Sequence, residues 1–192
     1  SDLNTAREAL NGGGAGTQTS RFIFGGVSTG PTLRANTEEW DGSSWTEVAD
    51  LSTAREYGAG TGTASAVLLA GGDNETVVLS ATEEWSTTQP VGAWSTGGAL
   101  NTARGLLGAA GTQTAALAFG GNGPNAQTEK YDGTSWTEVN DLNSGRRSLG
   151  SGGTQTSAIG FGGAAPPFGS PGLTGSTETW NGTSWTEVSD LN

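Results

Sequence analysis

Four arginines in this 192-residue chain recur at corresponding places and are the first candidates for chemistry. They are Arg7, Arg55, Arg104 and Arg146, each closing a short word such as "LNTAR", "LSTAR" or "LNSGR". A ring of guanidinium groups around one axis would bind a carboxylate or a phosphate, because each group can donate two parallel hydrogen bonds. The four arginines are therefore a candidate ligand site.

A structural role is the alternative for these arginines. A glutamate also recurs once per unit, at Glu38, Glu83, Glu129 and Glu178. A charge pair repeated in every unit would tie one strand to its neighbour without any ligand. We expect this structural role and keep the ligand site as the second hypothesis.

The chain contains neither histidine nor cysteine. Histidine is the commonest general base, and both residues are main ligands of zinc. Most catalytic templates therefore fail, and we predict a protein that is not an enzyme and holds no cofactor or metal. Glycoside hydrolysis by paired carboxylates remains the enzymatic alternative, since the chain has 19 Asp and Glu residues.

The formal net charge of the chain is −11. An acidic surface disfavours binding to nucleic acid and to anionic membranes, because both attract clustered Lys and Arg. The longest apolar run, at residues 65–70, is much shorter than a membrane span. We therefore predict a soluble chain that binds neither partner, while the lack of cysteine gives no evidence for its compartment.

Recurring words divide the sequence into four similar units, at about residues 2–49, 50–99, 100–140 and 141–192. Each unit has an Arg word, a Gly-rich stretch, a polar turn such as "GTQT", an apolar run ending in a Gly pair, and two later aromatic residues. Thirty-four glycines would suit a disordered chain, but seven regularly spaced tryptophans favour a repeated packing unit. We predict a single all-β domain over residues 1–192.

The pattern within a unit predicts four short strands, which we call a, b, c and d. Runs of four to seven residues alternate with Gly, Asn, Asp and Ser clusters and lack helical periodicity. The words "DGSS", "DGTS" and "NGTS" join c to d, and Asp-Gly or Asn-Gly between such runs is the strongest short hairpin signal. Strand a is rich in Gly and Ala, so we place it at a shared axis where side chains have little room.

A Gly-Gly pair after an apolar strand, then Tyr or Trp, then Trp, once per unit, resembles the kelch repeat. The resemblance covers all four units, although two of them carry Trp at both aromatic positions beside "EEW". It implies four-stranded blades that form a β-propeller, a ring of about 4–8 blades. We predict four kelch-like blades in one ring. A larger ring, or a ring completed by a second chain as a homo-oligomer, is the alternative.

Function follows only weakly from this resemblance, because kelch propellers serve as interaction modules, adhesins and occasional enzymes. The wording from "TEEW" to "SWTEV" is also similar to kelch-like repeats in structural proteins of environmental tailed phages. We predict a non-enzymatic binding or structural module, as a component of a phage virion or host-recognition fibre. This implies a virion or extracellular location. A carbohydrate-binding lectin or a carboxylate-based glycosidase is the alternative.

The units differ most between the Gly pair and the Thr-Glu word, from "NGPNAQ" at 122–127 to "AAPPFGSPGLTGS" at 164–176. In a propeller these b-to-c connections share a face with the d-to-a connections, so we predict a protein or glycan ligand there. Phe168 lies in the longest connection, where it would stack on a sugar or dock a protein. Folding back over the blade edge is the alternative for Phe168.

Overall fold

The computed structural model describes residues 2–10, 14–28, 32–87, 92–122, 126–166 and 172–192. Within these ranges the chain is all-β, and its strands form five antiparallel sheets of three or four strands. No helix among the described residues is long and apolar enough to cross a membrane.

The strands follow the predicted units. The first unit forms β1 (Arg7–Glu8), β2 (Gly14–Gly16), β3 (Arg21–Phe24), β4 (Val27–Ser28), β5 (Thr32–Leu33), β6 (Thr37–Trp40) and β7 (Trp45–Val48). The second forms β8 (Ala59–Thr63), β9 (Ala66–Ala70), β10 (Thr82–Ser86) and β11 (Ala93–Gly97). The third forms β12 (Gly108–Thr112), β13 (Ala115–Phe119), β14 (Thr128–Tyr131) and β15 (Trp136–Val139). The fourth forms β16 (Gly150–Thr154), β17 (Ser157–Phe161), β18 (Thr177–Trp180) and β19 (Trp185–Val188).

Each unit contributes one four-stranded antiparallel sheet in which spatial order equals chain order. Sheet 1 is β2-β3-β6-β7, sheet 2 is β8-β9-β10-β11, sheet 3 is β12-β13-β14-β15 and sheet 4 is β16-β17-β18-β19. The predicted a-b-c-d order is therefore confirmed in all four units.

The predicted c-to-d hairpins of units one, three and four are present, and the Asp or Asn of each Asp-Gly or Asn-Gly word holds the turn. In sheet 1, Trp40 lies opposite Trp45 across the ladder. The Asp41 carboxylate accepts hydrogen bonds from the backbone N–H groups of Ser43 and Ser44, both at 2.8 Å. The Ser44 backbone N–H and the Ser43 hydroxyl keep the pKa of Asp41 well below its usual value. These bonds fix the turn, as in an Asx-turn.

The apolar core lies in layers between consecutive sheets. Phe22 of β3 packs on Trp85 of β10, with ring centroids 4.9 Å apart. Between sheets 3 and 4, Phe119 packs on Trp185 at 4.7 Å. Each buried cluster thus joins side chains of two neighbouring units, as expected when one unit cannot cover its own apolar faces.

The Gly-rich inner strands pack side by side in the order β2, β8, β12, β16. Together they surround a cavity of about 170 Å³, as the placement of strand a at a shared axis predicts. Glycine is needed where a side chain would collide: a Cβ at Gly108 would lie 2.9 Å from the Phe119 ring and 3.0 Å from Ser151 Cβ. Among the described residues, β16 and β2 make no comparable contact. The described inner strands of units four and one thus line the same cavity without packing as consecutive inner strands do.

A fifth sheet, β1-β4-β5, was not expected from the sequence. It pairs Glu8 with Val27, and so holds the segment after Arg7 against the b-to-c connection. Units two and four have single bridges at the same place, Glu56 with Asp73 and Arg147 with Ala164. The segment after the recurrent arginine therefore pairs with the b-to-c connection in several units, and this pairing is most extensive in the fifth sheet.

Candidate functional site

The four recurrent arginines lie in buried ion pairs with the four recurrent glutamates. The pairs are Arg7–Glu38, Arg55–Glu83, Arg104–Glu129 and Arg146–Glu178, with all eight side chains at most 2% exposed. In units two to four the Nη2–Oε1 distances are 2.6, 2.7 and 2.8 Å. The charge pairs expected from the sequence are present, and no guanidinium of the four is open to a ligand.

The surroundings of each pair show what it holds together. Arg104 Nη1 donates to the carbonyl oxygens of Gly120 at 3.1 Å and Gln127 at 2.7 Å. The second carboxylate oxygen of Glu129 accepts from the Asn101 backbone N–H at 2.8 Å. One pair therefore joins the Gly pair, strand c and the d-to-a connector. Burial lowers the pKa of Arg104, while the charge of Glu129 and its hydrogen bond oppose this change.

The b-to-c connections lie on the same face as the segments that follow the arginines, as predicted. We call this the variable-loop face. Glu56 N donates to Asp73 O and Asp73 N donates to Glu56 O, both at 2.9 Å. Arg147 and Ala164 exchange the same two bonds at 3.0 and 2.9 Å. The variable segments are thus anchored at their first residues to a repeated frame.

A chain of backbone hydrogen bonds crosses this face from unit to unit. Tyr57 N donates to Ala9 O at 3.1 Å, Leu106 N to Tyr57 O at 2.9 Å, and Ser148 N to Leu106 O at 2.8 Å. All four residues have positive φ, between 54° and 58°, which is uncommon for residues other than glycine. Sequence reasoning missed these residues because their side chains differ. Their constant position, two residues after each recurrent arginine, was the available signal.

Tyr57 is half-buried on the variable-loop face among carboxylates. Burial, followed by the charges of Asp73 and Glu75, raises the pKa of Glu56 above its usual value. Burial, followed by the charge of Glu56, raises the pKa of Tyr57. An aromatic ring surrounded by acceptors therefore stands beside the second b-to-c connection.

Two large apolar side chains are exposed in the b-to-c connections. Leu173 is 84% exposed and Val77 is 55% exposed. Phe168, the aromatic candidate of the longest connection, lies outside the described residues. Exposed apolar side chains on connections held by a rigid frame are typical of a binding surface.

A cavity of about 340 Å³ lies between the a-to-b turns of sheets 1 and 2, and Ala64 lines it. At the corresponding place, Gln113 Nε2 donates to the carbonyl oxygens of Val67 at 3.2 Å and Trp85 at 2.6 Å. Gln155 binds sheet 3 in the same way. Ala64 occupies the position of Gln113 and Gln155 in its own unit, so a glutamine there would reach the corresponding carbonyl oxygens of sheet 1.

We expect Ala64→Gln to raise the free energy of unfolding by about 1 kcal/mol. The new amide would donate to the carbonyl oxygens of Arg21 and Trp40, each bond contributing about 0.5–1.5 kcal/mol before side-chain entropy is subtracted. Urea denaturation measures the change. The matched variant Gln113→Ala should lower the stability by about 1–2 kcal/mol. An unchanged or lower stability for Ala64→Gln would refute the equivalence of the two positions.

Tyr131 links sheets 2 and 3. Its hydroxyl donates to Glu84 Oε1 at 2.5 Å and accepts from Gly98 N at 3.3 Å. Burial, followed by the hydrogen bond to Glu84, raises the pKa of Tyr131 to about 12. The phenol therefore stays protonated in the folded chain at a pH where an exposed tyrosine ionises, about 10.

This difference predicts an alkaline loss of stability. Below pH of about 10 the contribution of Tyr131 is fully present, and it is lost as the pH rises from about 10 through 12, since only the unfolded chain releases the proton readily. Unfolding titrations across this range should show a steeper fall for the wild type than for Tyr131→Phe. Equal slopes for the two proteins would contradict the assignment.

Comparison with known proteins identified no relative of this chain. No model of a known protein family matches the chain, and no curated protein matches it either. Within the described part of the chain, no group of three or more acidic side chains is placed to hold a metal ion. The variable-loop face is therefore assessed on its own geometry.

Proposed function

We propose that the chain is a non-enzymatic binding or structural module whose ligand occupies the variable-loop face. The observation that carries the proposal is the combination on one face of a repeated rigid frame with unequal connections that expose Leu173 and Val77. The frame holds the connections with buried ion pairs and backbone bonds, so their sequences can differ without disturbing the sheets. Binding residues are commonly carried on such connections.

We also propose that the four sheets are blades of a kelch-type β-propeller. The antiparallel a-b-c-d order of each sheet and the inner strands around a common cavity support this proposal. The similarity of the repeat wording to phage structural proteins supports a role in a virion or host-recognition fibre.

A carbohydrate ligand is the second candidate, because Tyr57 lies beside Glu56 and Asp73 on the same face. An aromatic ring packs on the apolar face of a sugar, and carboxylates accept hydrogen bonds from its hydroxyl groups. This arrangement favours a lectin over a glycosidase, for which two carboxyl groups must flank one bond at a fixed separation.

A binding experiment separates these functions. Labelled wild-type protein is applied to a glycan array and to intact bacterial cells. The same assays use the double variant Val77→Ser/Leu173→Ser and the single variant Tyr57→Ala. The control is Thr186→Ala on the exposed strand β19. A protein-binding surface predicts cell binding that the double variant loses, and a lectin predicts array binding that Tyr57→Ala loses. Release of a cleaved sugar that a single Asp or Glu substitution abolishes would overturn the non-enzymatic proposal.

A further inference from the structure

The junctions between consecutive sheets are built three times from the same bonds. The second glycine of each Gly pair donates to the arginine carbonyl of the next unit: Gly26 to Arg55 at 2.9 Å, Gly72 to Arg104 at 2.8 Å and Gly121 to Arg146 at 2.9 Å. The strand-d tryptophan Nε1 donates to a strand-c threonine Oγ1 of the preceding unit: Trp94 to Thr37 at 3.0 Å, Trp136 to Thr82 at 3.1 Å and Trp185 to Thr128 at 3.0 Å. Each sheet thus has a leading face, which meets the preceding sheet, and a trailing face, which meets the following one.

The trailing face of sheet 4 is left uncovered. Ile159 is 37% exposed and Leu191 is 54% exposed, whereas their counterparts one repeat earlier, Leu117 and Leu142, are 0% and 4% exposed. Phe161 is half-buried, while its counterpart Phe119 is fully buried. Leu191 still donates its N–H to Gly175 O at 2.9 Å, as the other connector leucines do in their units. Its backbone is therefore in place and only its cover is missing.

The leading face of sheet 1 is uncovered in the same way. Trp45 is half-buried, as is Trp94, whereas Trp136 and Trp185 are buried. These three counterparts each donate to a threonine of the preceding sheet, and Trp45 makes no such bond among the described residues. Gln18 is exposed, although its counterparts Gln113 and Gln155 bind the preceding sheet. Three bonds that the other junctions contain are not formed here among the described residues. They would run from Trp45 Nε1 to Thr177 Oγ1, from Gly163 N to Arg7 O and from Ala9 N to Ser148 O.

These two faces are complementary, because each internal junction joins one face of each kind. Thr177 Oγ1 corresponds to the threonine oxygens that accept the tryptophan hydrogen bond at the other junctions. Phe161 corresponds to the ring that a strand-d tryptophan contacts elsewhere, as Trp94 contacts Phe24 at a centroid distance of 5.1 Å. An exposed apolar face flanked by defined polar partners is typical of a protein interface.

Arg21 stands against closure at the axis within one chain. It replaces the small apolar residues Val67, Ala116 and Ala158 of the other units, and its guanidinium lies beside Gly14 of β2. At the other junctions these residues share an apolar cluster with the inner strand of the preceding sheet, whereas the exposed Arg21 offers no such contact.

We infer that the trailing face of sheet 4 binds the leading face of sheet 1 in a second copy of this chain. The contact is head-to-tail, so each copy keeps one face for a further copy, and the assembly grows as a ring or an open chain according to the rotation at the contact. Trp45 of one copy packs on Phe161 of the other and donates to Thr177 there.

Complementary blocking variants test this inference. Ile159→Asp blocks the trailing face and Trp45→Asp blocks the leading face, whereas Thr137→Asp changes an exposed residue of sheet 3. The wild type and Thr137→Asp should increase in mass with concentration in light scattering. Each blocked variant alone should stay at the monomer mass of 19.2 kDa, with association weakened by at least about tenfold. An equimolar mixture of the two blocked variants should form a dimer, because each supplies the face that the other lacks.

A cross-linking arm keeps the test independent of variant stability. The chain has no cysteine, so Phe161→Cys and Trp45→Cys give single reactive thiols. A short bis-maleimide should join a mixture of these two variants into dimers. In the double variant Phe161→Cys/Trp45→Cys it should produce a ladder of multimers. A wild type that stays monomeric, or a double variant that cross-links only within one chain, would overturn the inference in favour of closure in cis.

Discussion

Replacing Glu129 with glutamine is expected to lower the free energy of unfolding by about 3–5 kcal/mol, because it breaks a buried ion pair. Glu129 is 1% exposed and binds Arg104, which is itself fully buried. Glutamine keeps the shape of the side chain but leaves a buried guanidinium without a counter-charge. Urea denaturation followed by tryptophan fluorescence measures the change.

The exposed Glu138 provides the matched control, because it lies directly opposite Glu129 in the ladder. Glu138→Gln should change the stability by less than about 0.5 kcal/mol. The double variant Arg104→Met/Glu129→Leu should recover only part of the loss, since it leaves no buried charge but removes the partners of Gly120 O, Gln127 O and Asn101 N. If Glu129→Gln changed the free energy of unfolding as little as Glu138→Gln does, the Arg104–Glu129 pair would not stabilise the fold as its geometry indicates.

Replacing Trp136 with alanine is expected to destabilise the chain by about 3–5 kcal/mol. Trp136 is 6% exposed, stacks on Tyr131 at 4.9 Å and donates to Thr82 Oγ1 across the junction of sheets 2 and 3. The truncation would open a cavity there and leave the threonine without its donor. Thermal and urea unfolding both report this loss.

Trp45 holds the same position in sheet 1 but has no sheet in front of it. In dilute solution Trp45→Ala should therefore lower the stability by only about 1 kcal/mol, because a half-buried ring is truncated and no junction bond is lost. Comparable losses for Trp45→Ala and Trp136→Ala at low concentration would mean that unit one is covered within its own chain.

Local signals were sufficient for the four sheets. The Asp-Gly words placed the c-to-d hairpins, and the Gly pairs marked where strand b ends, because both need conformations that few other residues adopt. The recurrence of Glu129 and its counterparts, once per unit, correctly predicted the ion pairs. The Gly-rich strand a was predicted as the first strand of each sheet only because several copies were expected to meet where side chains have little room.

The fifth sheet and the uncovered faces were beyond such signals. β1 and β4 have two residues each, too few for any periodicity, and they pair through contacts between distant segments. Tyr57 and Leu106 adopt positive φ through bonds to the neighbouring unit, although their side chains do not favour it. Trp45 and Phe161 have the same residue types as covered counterparts, so their exposure depends on what stands beside them.

The junction bonds give the chain a consistent polarity. Every donor, such as Gly72 N or Trp136 Nε1, belongs to the repeat and finds its acceptor at a fixed place in the adjoining repeat. A duplicated unit inserted between two existing ones would therefore meet ready-made partners on both sides. Gene duplication could lengthen or shorten such an array without inventing any new contact, while each copy's variable connection diverged on its own.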